Sequence, residues 1–466
     1  MTRNRVERDS LGEAELPESA LYGINTYRSL ANFAISGRPI ATWKEFISAI
    51  ATVKQAAAGA NLDLGGLTPD QAAAISAACE DIRTGKHDAH FLVDMFEGSG
   101  GTSTNMNVNE VIANIVALAA GKSAGDYSYV HPNDHVNLCQ STNDVIPTAL
   151  KIAVYRASAT TPGALRQLAR ALSEKATQYA TLLRLGRTCL QDAQPMTLGQ
   201  AFGGYAAAVA RHADQLEDLR GHFLTVPLGG TAIGTGFGAR PGYTAAVCRH
   251  LSALVGAEVK PAGNAFDAMQ NMDVFARFSA ELRNTSNTLW KIANDLIILS
   301  SGPAGGLAEI TLPSVQAGSS IMPGKINPVI PIAVCQVALA ITGNDTAVAL
   351  ACQQGLLEIN HYELLVCDRV LESVRLLDNS ARIFAERCIR DLVANEETSR
   401  QHLLSSSALA TALVPALGYA KVSAIVRAAA AGQRPFLEVA VEGGFLSQEE
   451  IQPILHRAAH GAEASN

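Results

Sequence analysis

Residues 264–301 run for 38 positions without a glycine or a proline. Phe275, Phe278, Leu282, Leu289, Ile292, Leu296 and Leu299 recur along this stretch at steps of three and four, with small polar residues at the one skipped step. The spacing predicts one helix about 55 Å long at 1.5 Å per residue, carrying an apolar seam. Globular helices average about 11–12 residues, and a stripe this long cannot be covered by one small domain. It predicts a multi-helix bundle shared between subunits. The residues are 48% hydrophobic but only 5% aromatic. A core built mostly from Ala, Leu, Val and Ile lets helices approach closely.

Further helical stretches read from the pattern are 164–185, behind Pro162 and Gly163; 198–224, behind Pro195; 332–354, behind Pro331; and 365–395. The predicted fold class is all-α. The chain divides into residues 1–140, an N-terminal domain of shorter helices and loops; 141–397, the long-helix body; and 398–466, a small C-terminal helical domain.

The formal net charge is −7, with no basic cluster of the kind that follows a phosphate backbone, so nucleic acid is not an expected partner. An anionic substrate would need locally placed positive groups. The opening residues, MTRNRVERDS, lack the apolar core of a secretory signal, and no run of eighteen apolar residues occurs. No membrane span is expected, and the expected location is the cytoplasm. The eight cysteines (Cys79, Cys139, Cys189, Cys248, Cys335, Cys352, Cys367 and Cys388) form no C-x-x-C pair. They read as reduced thiols, not as a zinc or redox motif. His87 and His90 read as a solvated loop, since two histidines fall short of a metal site.

Short polar islands interrupt the helices. They are GGTSTNMNVNE at 100–110, CQSTND at 139–144, GRTCLQDAQPMTLGQ at 186–200 and GSSIMPGKINP at 318–328. Taken singly, each is a set of helix caps and turns, where Ser, Thr, Asn and Asp satisfy orphan amides. Taken together, hydroxyls, amides and Lys325 converging on one site would make a cradle for a small dicarboxylate.

These residues carry a resemblance. GSSIMPGKINP is similar to the signature loop of the aspartase/fumarase superfamily. CQSTND, GGTAIGTG at 229–236 and YGINTYRSLANFAISG at 22–37 resemble the aspartate ammonia-lyase branch more than the fumarase branch, which more usually has a second Ser where Thr142 stands. The resemblance covers nearly the whole chain. It implies a three-domain all-α fold, and a homotetramer whose central domains merge into a twenty-helix core. Each active site would draw on three subunits.

The family reaction removes a proton beside one carboxylate and expels a group from the neighbouring carbon. The resemblance implies Ser319 as the base, on a mobile loop with Lys325. Thr102, Ser141, Thr142 and the backbone around Ser320 would stabilise an aci-carboxylate intermediate. Thr188, Lys325 and Asn327 would hold the other carboxylate, while Asn143 and Thr102 face the leaving group. The glycines Gly318 and Gly324 would let the loop swing, and Pro323 and Pro328 would limit its shapes. No metal or organic cofactor is expected. His131, Asn133 and Asp134 match a second acid-binding segment of fumarases, and a structural turn is expected there.

Two positions depart from the family pattern. Cys189 stands where many members carry His facing the leaving group, and Ile332 where a Glu is usual. The segment EINHYELLVC at 358–367 also differs. Three functions therefore stay open: elimination of ammonia from L-aspartate to give fumarate; a related fumarate-forming lyase with another leaving group, such as water or a substituted amine; and a non-catalytic homologue that keeps the fold.

Overall fold

The computed structural model describes residues 3–460. A hairpin of β1 (Asn4–Asp9) and β2 (Gly12–Pro17) opens the chain, followed by α1 (Ile24–Asn32), α2 (Lys44–Asp63), α3 (Pro69–Arg83), α4 (Thr102–Ala119), α5 (Thr142–Ala157) and α6 (Thr161–Gln178). A second hairpin, β3 (Leu183–Thr188) and β4 (Gln191–Thr197), precedes α7 (Leu198–Gly221). Then come β5 (Thr225–Val226), α8 (Tyr243–Val255), β6 (Lys260–Pro261), α9 (Ala265–Gln270), α10 (Asp273–Leu299) and β7 (Ile310–Thr311). The rest is α11 (Val329–Gln353), α12 (Glu363–Phe384), β8 (Val393–Ala394), α13 (Glu396–Ser405), α14 (Ala410–Leu417), α15 (Tyr419–Gly432), α16 (Phe436–Glu442) and α17 (Gln448–His460). The mostly helical class expected from the sequence is what forms, and the strands pair only in two-stranded sheets.

The described residues form two compact units: 3–162, 214–284 and 339–377, and 163–213, 285–338 and 378–460. In the first unit α2 packs against α3, α5 and α8. Its alanines and Gly59 allow this crowding; a Cβ at Gly59 would lie 2.7 Å from His250 Nδ1. In the second unit the β3–β4 hairpin packs on α13 and α17. Leu185, Leu403, Leu413, Ile425 and Phe436 share an apolar cluster there.

The seven seam residues from Phe275 to Leu299 are all buried. Their helix, however, begins at Asp273, not at residue 264, and has 27 residues, about 40 Å. Asn264 instead caps the short α9, and Asn271 is extended. Neither Gly nor Pro makes this break. Asn and Asp side chains compete for the backbone and stop helices as well. Likewise the stretch 164–185 is not helix to its end. Residues Leu183–Thr188 form a strand that pairs with β4, with a bulge between Leu185 and Arg187. A Cβ at Gly186 would meet Gln194 O at 2.7 Å. The stretch 365–395 is helical from Glu363 to Phe384, turns once as a π-helix over Ala385–Ile389, and ends in β8.

Among the described residues one helix, α11, is long and apolar enough to cross a membrane by length and composition alone. Ile332, Leu339 and Leu350 on it are 41%, 56% and 57% exposed. A stripe this open calls for a cover.

Candidate active site

In the first unit the N-termini of α4 and α5 are joined side by side. Gly101 precedes α4 with φ of +87°, and a Cβ on it would lie 2.9 Å from Ile146 Cγ1, so glycine lets α4 start against α5. Thr102 is the exposed first residue of α4. Ser141 caps α5: its Oγ accepts from Asn143 N at 3.3 Å, and Asp144 Oδ1 accepts from Ser141 N at 3.0 Å. Thr142 is buried, and its Oγ1 accepts from Asn105 Nδ2 at 3.2 Å. Asn143 Nδ2 donates to Ala232 O at 2.8 Å. Helix N-termini present unpaired amides and the positive end of the dipole, which suits a carboxylate.

Beneath these residues lies a buried polar network that the sequence reading did not assign. The second oxygen of Asp144 accepts from Gly229 N at 3.0 Å and Thr231 N at 2.9 Å, tying α5 to the glycine-rich stretch 229–236. Burial pushes the Asp144 carboxyl up to about 6, against the pull of these amides and of Lys54. The fully buried Lys54 donates to Asn137 Oδ1 at 2.9 Å and Gln140 Oε1 at 3.0 Å. Burial pushes its ammonium down to about 7. Asn137 Oδ1 also accepts from Asn105 and Asn109. A chain of contacts therefore runs from Lys54 through Asn137 and Asn105 to Thr142. The Ser-x-x-Asp spacing at 141–144 is a capping-box signature and was the one readable sign of Asp144.

In the second unit Thr188 ends β3, exposed, and pairs in register with Gln191. Cys189 and Leu190 form the two-residue connection, with φ of 52° and 61°. Positive φ at both positions is the geometry of a type I′ turn, usually filled by Asn-Gly. Cys189 is exposed at this tip.

The loop 318–328 has its own internal order. Ser319 Oγ accepts from Ile321 N at 3.2 Å and Met322 N at 2.9 Å. Asn327 Nδ2 donates to Gly318 O. A Cβ at Gly318 would lie 2.0 Å from Lys325 O. Gly318 thus permits a close crossing of the loop's two arms and has no special φ, whereas Gly324 takes a φ of +79°. Ser320 and Lys325 are exposed, and Asn327 is half-buried.

His131 caps a single π-helical turn, its Nδ1 accepting from Asn133 N and Asp134 N, both at 3.2 Å. His87 and His90 are not a free loop. They flank and end a short 3₁₀ turn, and His90 Nδ1 accepts from Leu21 N at 3.3 Å. Among the described residues no group of three His, Cys, Asp or Glu side chains is placed to hold a metal ion.

The family model described as Lyase matches residues 12–343, and that described as Fumarase C C-terminus matches 409–459. The chain belongs to this lyase family, the aspartase/fumarase superfamily. Within it the chain is a carbon–nitrogen lyase, on the aspartate ammonia-lyase branch. It is 45% identical to the aspartate ammonia-lyase of Pseudomonas aeruginosa, over 97% of this chain and 96% of that one. A fumarate lyase:delta crystallin from Brucella melitensis, solved bound to cobalt, is 44% identical with a TM-score of 0.94, covering 97% and 98% of the two chains. The recombinant class II fumarase of Schistosoma mansoni is 34% identical with a TM-score of 0.92 over the same shares.

Proposed function

We propose that this protein removes ammonia from L-aspartate to give fumarate. The reading rests on its likeness, over 97% of the chain, to a relative named aspartate ammonia-lyase. The substrate Cβ–H is a very weak acid, and its carbanion survives only as an aci-carboxylate with two negative charges. Catalysis therefore depends on donors already aimed at those oxygens. Thr102, Ser141 and Thr142, at paired helix N-termini, serve this role with the backbone around Ser320. Thr188, Lys325 and Asn327 hold the other carboxylate. Asn143 and Thr102 face the departing amine.

Ser319 is the base. A serine hydroxyl takes a proton at neutral pH only if its alkoxide is stabilised and water is kept away. The amides of Ile321 and Met322 already point at its Oγ, and these same donors support the alkoxide. Closure of the loop brings Ser319 and Lys325 over the substrate. The catalytic form is a cytoplasmic homotetramer, each site drawing residues from three subunits, with the exposed stripe of α11 covered in the shared core.

A second reading keeps the fumarate product but changes the leaving group. Cys189 and Ile332, both exposed in the protomer, favour it. An imidazole and a carboxylate handle a departing ammonium; a thiol and a sec-butyl chain do so poorly. The test is fumarate absorbance from aspartate, malate, argininosuccinate and N-substituted aspartates. Turnover of aspartate alone supports the first reading, turnover of another member supports the second, and silence on all four overturns both.

A further inference from the structure

Glu309 has no exposed surface, and it is a carboxylate with three cationic or ring donors from two distant parts of the second unit. Its Oε1 lies 2.7 Å from an Arg187 terminal nitrogen and 3.0 Å from His402 Nδ1; its Oε2 accepts from Arg184 Nε at 3.0 Å. Burial by itself would raise its carboxyl, but Arg187, Arg184 and His402 outweigh burial and hold it below the ordinary glutamate value. Its backbone is fixed too: Glu309 N donates to Leu299 O at 2.9 Å, and Glu309 O accepts from Asn395 N at 2.8 Å. Arg184 and Arg187 lie on β3, and His402 on α13. Thr188 and Cys189 follow Arg187 at once. Ten residues beyond Glu309 stands Ser319.

We infer that Glu309 is a positioning residue for the substrate site: it holds the β3–β4 tip bearing Thr188 against the root of the Ser319 loop and makes α13 part of that support. Two features carry this. The type I′ turn at Cys189 and Leu190 lacks its usual Asn-Gly, so the turn does not hold itself and its geometry is imposed from outside. A single buried carboxylate faces two guanidiniums, Arg184 buried and Arg187 partly so, so losing its charge leaves both without their partner and moves the strand that carries them. On the opposite strand Ser406 Oγ donates to Asp192 Oδ2 at 2.6 Å, so the segment after α13 holds β4 as well.

The inference rests on the reading that Thr188 holds a substrate carboxylate, and the experiment separates the two. In the full-length protein, Glu309→Gln is compared with wild type, Glu309→Asp and His402→Ala by steady-state kinetics and by the reaction rate of Cys189 with Ellman's reagent, using Cys189→Ser as the blank. A carboxylate clamp acts on ground and transition states alike, so loss of Thr188 alignment raises KM. The expected result for Glu309→Gln is a KM at least tenfold higher with kcat within threefold, and a Cys189 rate changed at least threefold. Glu309→Asp is expected to recover part of both, and His402→Ala to raise KM about two- to fivefold. A folded Glu309→Gln with unchanged KM and unchanged Cys189 rate overturns the inference, as does a loss in kcat alone. If Glu309→Gln does not fold, His402→Ala decides by the same two readouts. If wild type leaves aspartate untouched, the functional reading fails, and the Cys189 rates still decide the role of Glu309.

Discussion

One carboxylate oxygen of Asp144 accepts the amide of Gly229 at 3.0 Å, and the same oxygen accepts that of Thr231 at 2.9 Å. Through the other oxygen it accepts from Ser141 N. Three amides, two of them in buried bonds, therefore depend on an acceptor-only group, and they set the relation between α5 and the stretch against which Asn143 leans. Protonation weakens this acceptor, and replacement by Asn puts a donor where an acceptor is needed; each buried amide left unpaired costs about 1–3 kcal/mol. The folded value of about 6 lies above the ordinary 3.8. Between those values the folded state binds the extra proton, so this group's contribution to stability shifts in favour of folding as pH falls through that window. Lys54, held down at about 7 against 10.5, carries its full desolvation cost below about 7, and that cost is relieved only as pH rises above it. The expected outcome is an acid limb in kcat/KM centred near pH 6. The melting-temperature advantage of wild type over Asp144→Asn should not shrink from pH 7 to 5. A limb of the same position and depth in Asp144→Asn would assign it elsewhere.

Ser319→Ala should abolish elimination and leave assembly intact. Ser319 is half-buried as a residue, and among the described residues its Oγ accepts from amides of its own loop in exposed bonds, so its loss disturbs no core. Turnover measured beside size-exclusion chromatography checks this; more than a tenth of wild-type activity would rule Ser319 out as the base.

The open apolar stripe of α11 should be covered by other copies of the chain. Burying side chains such as Leu339 and Leu350 is worth about 1.5–3 kcal/mol each when complete. Analytical ultracentrifugation is expected to give a tetramer, inactive once dissociated. An active monomer would refute the shared site. Leu339→Lys should weaken the assembly in the same measurement.

Cys189 and Ile332 should weaken handling of ammonium. Their side chains lower local polarity, so a protonated amine is desolvated with less compensation. Aspartate is expected to be a modest substrate, and ammonia addition to fumarate to need high ammonia. The double variant Cys189→His, Ile332→Glu should raise kcat/KM on aspartate. If the parent already exceeds about 10⁴ M⁻¹s⁻¹ and the variant brings no gain, these positions carry no message about the leaving group.

The sequence by itself determined the helical class, the seam from Phe275 to Leu299 and the loop 318–328, because each is written in consecutive residues: a period of three and four, or a fixed run of glycines, serines and prolines. It did not show the break at Asn271, since Asn ends a helix only when its surroundings give its side chain and backbone other partners. The strand holding Thr188 was hidden as well. Its pairing with β4 depends on a turn made by Cys189 and Leu190, which no local turn chemistry announces. Tertiary structure alone joined Asp144 to Gly229, 85 positions away, and Glu309 to Arg184, 125 away. Buried carboxylates choose partners by satisfying every oxygen once water is gone, and that requirement comes into force only after the helices and the hairpin have packed.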